Sequence, residues 1–329
     1  MEALALSHLL LFFITTFCVI FVGWKIDQSI KKNRTTLVRL LVTIPHTVTH
    51  KSQISQAGEV QQSAEIYKRL GELGIPFTLE LAVHTVGEEI NFYIISPAHT
   101  TKNVARLIQT LHPTSSVQLA DDYELWSSET NPENDHLAIG YLTQAKPYCI
   151  PLKTAKMGHL EPFSPILRHL SNMAAIGQGG AIQWVVKPAN KHLLSDIGGH
   201  LQKFKNGEYH PSRHIHERFI LTPGTIKLLE EKSASPLFAV NCRIIMTTGA
   251  SGKAGLALAK MAEHFETIST TDEQHNHFKF ITPKRHDEVL QSFINYDFEP
   301  IEEMILTAEE LATYFHFPGP IITTPKVRK

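Results

Sequence analysis

The stretch GASGKAGL, Gly249 to Leu256, follows an apolar run and opens a helical one, which is where a phosphate-binding loop sits. That chemistry requires Gly-x4-Gly-Lys-Ser/Thr, so that backbone amides cradle phosphates and a hydroxyl holds Mg²⁺. Here Thr247 occupies the first glycine position and Ala254 the hydroxyl position, so the magnesium ligand is missing. The stretch reads as an ordinary strand-to-helix turn.

Histidines offer a different chemistry. HPSRHIHERF places His210, His214 and His216 beside Glu217, and EQHNHF brings His275 and His277 together. Imidazoles next to a carboxylate are zinc-ligand types. No His-Glu-x-x-His occurs, both clusters lie in polar stretches without helical period, and 19 histidines make chance clustering expected. No Ser or Cys stands in a Gly-x-Ser-x-Gly elbow. The residues therefore define no catalytic, cofactor or metal set, and the expectation is a chain that is not an enzyme.

The elements that would position such residues are bounded by composition. A chain of 329 residues has room for two ordinary domains. Lys plus Arg number 31 against 32 Asp plus Glu, so no chain-wide charge calls for a polyanion. The stretch Lys187 to Arg218 is locally basic, with six Lys/Arg against three Asp/Glu, and reads as a solvated helical arm. Contact with nucleic acid or acidic lipid is its other reading. Hydrophobic content of 43% supports packed cores. Cys18, Cys149 and Cys242 are widely spaced and form neither a disulfide framework nor a zinc pattern.

From Ala3 to Trp24 the chain carries no acidic or basic residue. At about 1.5 Å per residue the run spans roughly 33 Å, enough for a hydrocarbon core of ~30 Å. Lys25, Lys31, Lys32 and Arg34 follow it and no Lys or Arg precedes it. The positive-inside rule then predicts a single-pass inner-membrane protein with its N-terminus outside and its body cytoplasmic. Trp24 and the four basic residues would sit at the membrane interface.

Beyond this anchor the strand and helix periods repeat. TLVRLLVTIP alternates, a helical stretch follows, and PFTLELAVHTVGEEINFYIISP reads as a hairpin. Leu79 and Leu81 are assigned to the inward face of a central strand, Thr78 and Glu80 to the opposite face. A helix near Thr101 to Leu111 and a strand near Val117 close a βαββαβ order. SSETNPENDH is a polar linker, after which the pattern resumes with a long excursion. Neither INFYIISP nor AIQWVVKP matches the aromatic strand of RNA-recognition modules.

The predicted fold class is α+β: an N-terminal transmembrane helix followed by two ferredoxin-like (βαββαβ) units, the second with a long insertion. The boundaries are 1–34 for anchor and basic flank, 35–126 for the first unit and 127–136 for the linker. The second unit covers 137–283 with an insertion at 188–236, and 284–329 is a C-terminal junction segment.

That junction contains LTAEELATYFHFP. Thr307 and Glu310 have capping-box spacing, and Leu311 and Phe315 share one helical face. The ordered series TLVRLLVTIP, the hairpin, PLKT, GGAIQWVVKPA, LFAVNCRIIM and ILTAEELATYFHFPGPIITTP resembles the membrane-anchored N-terminal region of type IV secretion and conjugation coupling-type ATPases. These are TraG/TraD-like and FtsK/HerA-related proteins. In that family the segment leads into a motor with a phosphate loop, and no such motif stands in this sequence. The resemblance thus implies a non-catalytic, membrane-anchored scaffold or coupling module. Thr307, Glu310, Leu311, Phe315, Phe317 and Pro318 would dock a separate motor ATPase or other secretion-machine subunits, and self-association is a further partnership it allows. Two alternatives remain open at this point: a membrane-tethered, His-rich metal-dependent enzyme, and a truncated remnant of a larger ATPase.

Overall fold

Alternation in LVRLLVT makes β1 (Leu37–Thr43), with Leu40 and Val42 buried on one face and Arg39 and Leu41 on the other. The computed structural model describes residues 36–45, 56–84, 89–121, 136–155, 163–173, 179–206, 222–249, 252–269, 273–319 and 326–328. Val38–Lys329 form one compact unit.

The elements of the N-terminal half continue with α1 (Gln56–Glu72), β2 (Phe77–Val83), β3 (Ile90–Pro97), α2 (Thr101–Leu111) and β4 (Ser116–Leu119). Helix α1 has Glu59 in its first turn and Arg69 in its last, matching the helix dipole. Gly74 then turns the chain with φ of 66°, a conformation glycine adopts without strain. The C-terminal half has β5 (Leu137–Gln144), α3 (Phe163–Ser171), β6 (Gly179–Pro188), α4 (Lys191–Lys205), α5 (Pro223–Ser233), β7 (Leu237–Thr247), α6 (Ala254–Ser269) and β8 (Phe278–Ile281). It ends with α7 (His286–Asn295), β9 (Met304–Thr307) and α8 (Ala308–Tyr314).

The nine strands form one sheet in the order β4-β1-β3-β2-β6-β7-β5-β8, with β9 paired to one end of β7. This corrects the expectation of two ferredoxin-like units behind a transmembrane helix: the fold is mixed α/β around one shared sheet. The decisive pairing is β2 with β6, antiparallel from Phe77↔Val186 to Val83↔Gly180. Exposed strand edges attract pairing partners. Both strands are buried on both faces along this seam, so their union leaves neither as an edge.

Among the described residues no helix is long and apolar enough to cross a membrane. The expected anchor, Ala3 to Trp24, and the interface residues Trp24, Lys25, Lys31, Lys32 and Arg34 lie outside the described residues. The expected single-pass inner-membrane placement is thus corrected: among the described residues no spanning helix supports it.

The main core lies between one sheet face and helices α1, α2, α3, α6 and α8. Leu79, Leu81, Phe92, Trp184, Phe238 and Ile244 come from the strands, and Tyr67, Val104, Phe163, Phe265 and Leu311 from the helices. Gly71 lets the Phe238 ring approach α1, since a Cβ there would meet that ring at 2.7 Å. The opposite face is covered by α7, whose Val289, Leu290 and Phe293 pack with Ala82, Tyr93, Ala181 and Ile245.

Helix α8 starts with the expected capping box: the Thr307 side chain accepts from the Glu310 amide, and Glu310 accepts from the Thr307 amide at 2.7 Å. Thr307→Ala should therefore cost about 0.5–2 kcal/mol, read as a shift in urea midpoint. A change within error would mean that Glu310 alone fixes the helix start.

Candidate functional site

Three strands carry a polar residue within an otherwise apolar run: Glu80 in LELAV, Gln183 in AIQWVV and Arg243 in CRIIM. Register lines them up. Glu80 stands opposite Tyr93 on β3 and Gln183 on β6; Gln183 stands opposite Arg243 on β7, and Arg243 opposite Tyr141 on β5. A polar row thus crosses five strands on the face that α7 covers.

The row is knitted to its cover. Gln183 Nε2 donates to Glu80 Oε2 at 2.9 Å and to the Phe293 carbonyl at 3.0 Å. Arg243 Nε donates to Glu302 Oε2 at 2.7 Å, and Nη1 to the Ser292 carbonyl at 3.2 Å. Both guanidinium contacts are fully buried. Cationic and N–H donors at the C-terminal carbonyls of α7 complement its dipole. Asn241 clamps the next turn, donating to the Glu299 carbonyl and accepting from the Glu299 amide. At the other end of the row Arg39 lies 4.0 Å from Glu80, faces the Tyr93 and Tyr296 rings, and hydrogen-bonds the Tyr296 hydroxyl.

Burial sets the protonation along the row. It pushes the Glu302 carboxyl up, against the pull of the Arg243 charge. It pushes the Tyr93 phenol up to about 12, with Arg39 pulling back and Glu80 adding to the rise. His84, bonded to the Tyr93 hydroxyl at 3.0 Å, is lowered by burial and by the Arg39 and Arg328 charges. The row is a set of matched charges holding α7 on the sheet. Glu80 lies on the face opposite Leu79 and Leu81, as its alternation places it, and that face is buried too, beside Gln183 and under α7.

A second buried node holds the junction. Lys232 on α5 donates to Glu310 Oε1 at 3.0 Å and to the Ile305 carbonyl at 2.8 Å, while the Leu152 amide donates to the same Glu310 oxygen. The residues assigned to docking, Thr307, Glu310, Leu311, Phe315, Phe317 and Pro318, are all buried. Phe315 packs with Phe92 and Phe163, its carbonyl accepts from the Tyr67 hydroxyl, and the Phe317 amide donates to Ser63 Oγ. Their apolar surface is used inside the fold, since α8 and the strand-like exit pack on α1. It is not available to a partner.

His316 is enclosed in this aromatic cluster, 4.8 Å from the Phe163 ring centre, and burial holds its pKa down to about 4. Its folded value lies below its unfolded one, so the unfolded chain takes up the proton first as pH falls. Stability should therefore drop as pH is lowered from about 6.5 towards 4. Urea titrations at pH 7 and pH 5 should show this, and His316→Phe should lessen the slope. An unchanged slope would mean that His316 does not supply it.

In the phosphate-loop candidate, Ala250 and Ser251 lie outside the described residues. Gly252 is left-handed (φ 76°), Thr247 is buried in β7, Lys253 is exposed, and buried Ala254 opens α6. His210, His214, His216 and Glu217 lie outside the described residues. His275 and His277 flank Asn276, whose side chain ties down the carbonyls of Lys146, Pro147 and Ile150. Among the described residues no group of three or more His, Cys, Asp or Glu is placed to hold a metal. The cavity between α1, residues 154–155 and α8 presents one titratable side chain, Glu309, among Ala57, Val60, Gln61, Ala64, Thr154, Ala155 and Thr313.

Compared with known proteins, the chain matches no family model and no curated protein.

Proposed function

We infer that the chain is a non-catalytic assembly module of a secretion or DNA-transfer machine, engaging a separate motor-type ATPase or other subunits of that machine. One observation carries this reading. The segments whose order resembles the coupling-ATPase region are β1, the β2–β3 hairpin, β6, β7 and β9–α8, and they share a single core. The resemblance therefore falls on the frame of the fold and not on scattered surface stretches. The buried charges add support, because Arg243, Glu302, Lys232 and Glu310 are paired with one another and hold elements in place.

The partner would meet an outer surface of this frame, since the apolar side chains of the junction are occupied. Sedimentation velocity of the purified chain mixed with a motor ATPase from the same cell tests the reading. A heavier complex, with no nucleotide hydrolysis by the chain alone, is expected. Independent sedimentation together with a hydrolytic activity of the chain would replace the module with an enzyme.

A further inference from the structure

Helices α3 and α6 pack side by side, and each is seated by its buried stripe. Phe163, Ile166, Leu167 and Leu170 fix α3, while Leu258, Met261, Ala262 and Phe265 fix α6. At the margin of those stripes stand two half-buried imidazoles, His169 and His264. Their ring centres lie 5.3 Å apart with planes inclined at 70°. Two imidazoles sharing one tetrahedral metal at N–metal distances of about 2.0–2.1 Å have ring centres about 5 Å apart. The packing of the two helices thus sets the pair at the separation a shared ion requires.

We propose that His169 and His264 form a binding site for one borderline divalent cation of the zinc, nickel or copper class, bridging α3 to α6. Imidazole nitrogen suits these ions and not Mg²⁺ or Ca²⁺, which take oxygen donors. Among the described residues no third His, Cys, Asp or Glu completes a cluster, so water fills the remaining positions and the ion exchanges with solution. Lys260, one turn before His264 and close enough for its charge to bear on His169, keeps the site weaker than a closed four-ligand one. The site lies apart from the polar row and does not depend on the assembly role. Its effect is to link two neighbouring helices through a reversible cross-brace.

Isothermal titration of the chelator-stripped full chain with Zn²⁺, and separately with Ni²⁺, tests this, together with melting temperature in zinc against chelator. The wild-type chain should melt higher in zinc. That rise should vanish in His169→Gln and in His264→Gln, with affinity at this site down about tenfold or more in each. It should persist in a His275→Gln/His277→Gln double variant. Glutamine keeps the side-chain volume, and the readout is a difference within one variant, so a general loss of stability does not imitate it. Zinc binding and melting shifts unchanged in both single variants, or lost only in the His275/His277 variant, would overturn the proposal.

Discussion

Arg243→Ala is expected to cost about 3–5 kcal/mol of folding stability, because it leaves the carboxylate of Glu302 buried without its partner. The pair is closed at 2.7 Å with both side chains shielded from solvent. Arg243 also donates to the Ser292 carbonyl and to Asn241 Oδ1, so the end of α7 loses an anchor as well. With the guanidinium gone, burial and the nearby Glu299 charge act on Glu302 unopposed and raise its pKa further. A carboxyl raised in the folded state favours folding below its unfolded value and loses that contribution as pH rises through the folded one. The variant should thus lose more stability than wild type between pH 5 and pH 7, a difference that paired urea titrations resolve. A cost under 1 kcal/mol would mean that α7 is held by Val289, Leu290 and Phe293 alone.

Phe317→Ala should cost a similar amount, about 3–5 kcal/mol, as a fully buried aromatic truncation. The ring stands edge-on to Phe315 with centres 6.1 Å apart. The resemblance implied a different place for Phe317, docked against a partner. A melting temperature within a degree or two of wild type would restore that earlier view and place the residue on a surface.

These two sites show what could and could not be read from residue order. Alternation located β1 and the β2–β3 hairpin, and the spacing of Thr307 and Glu310 announced the capping box, because strands, hairpins and caps are decided by neighbours along the chain. The face of Glu80 was legible in the same way, but its burial was not. LELAV alternates like a strand with one wet face, and only the pairing with β6 brings Gln183 and the cover of α7 over it. The mid-strand positions of Glu80, Gln183 and Arg243 were the available signal. Three polar residues interrupting three apolar strands are costly unless they meet. The junction misled through its apolar excess, which looked like surplus until α1 was placed against α8. Which strand edges join, and what a terminal segment packs on, are long-range facts that periodicity does not carry.

The buried charges Arg243, Glu302, Lys232 and Glu310 are paired with one another and hold elements of this fold together. Replacing the Arg243–Glu302 pair together, Arg243→Met with Glu302→Leu, tests this most directly. Exchanging a buried ion pair for apolar side chains of similar volume is often neutral or stabilising, unlike removing one partner. The double variant should melt near the wild-type temperature and, under the proposed assembly role, sediment with a motor ATPase to the same extent as the wild-type chain. A double variant that folds as stably yet no longer joins the complex would show that the row acts in function, and would contradict the account.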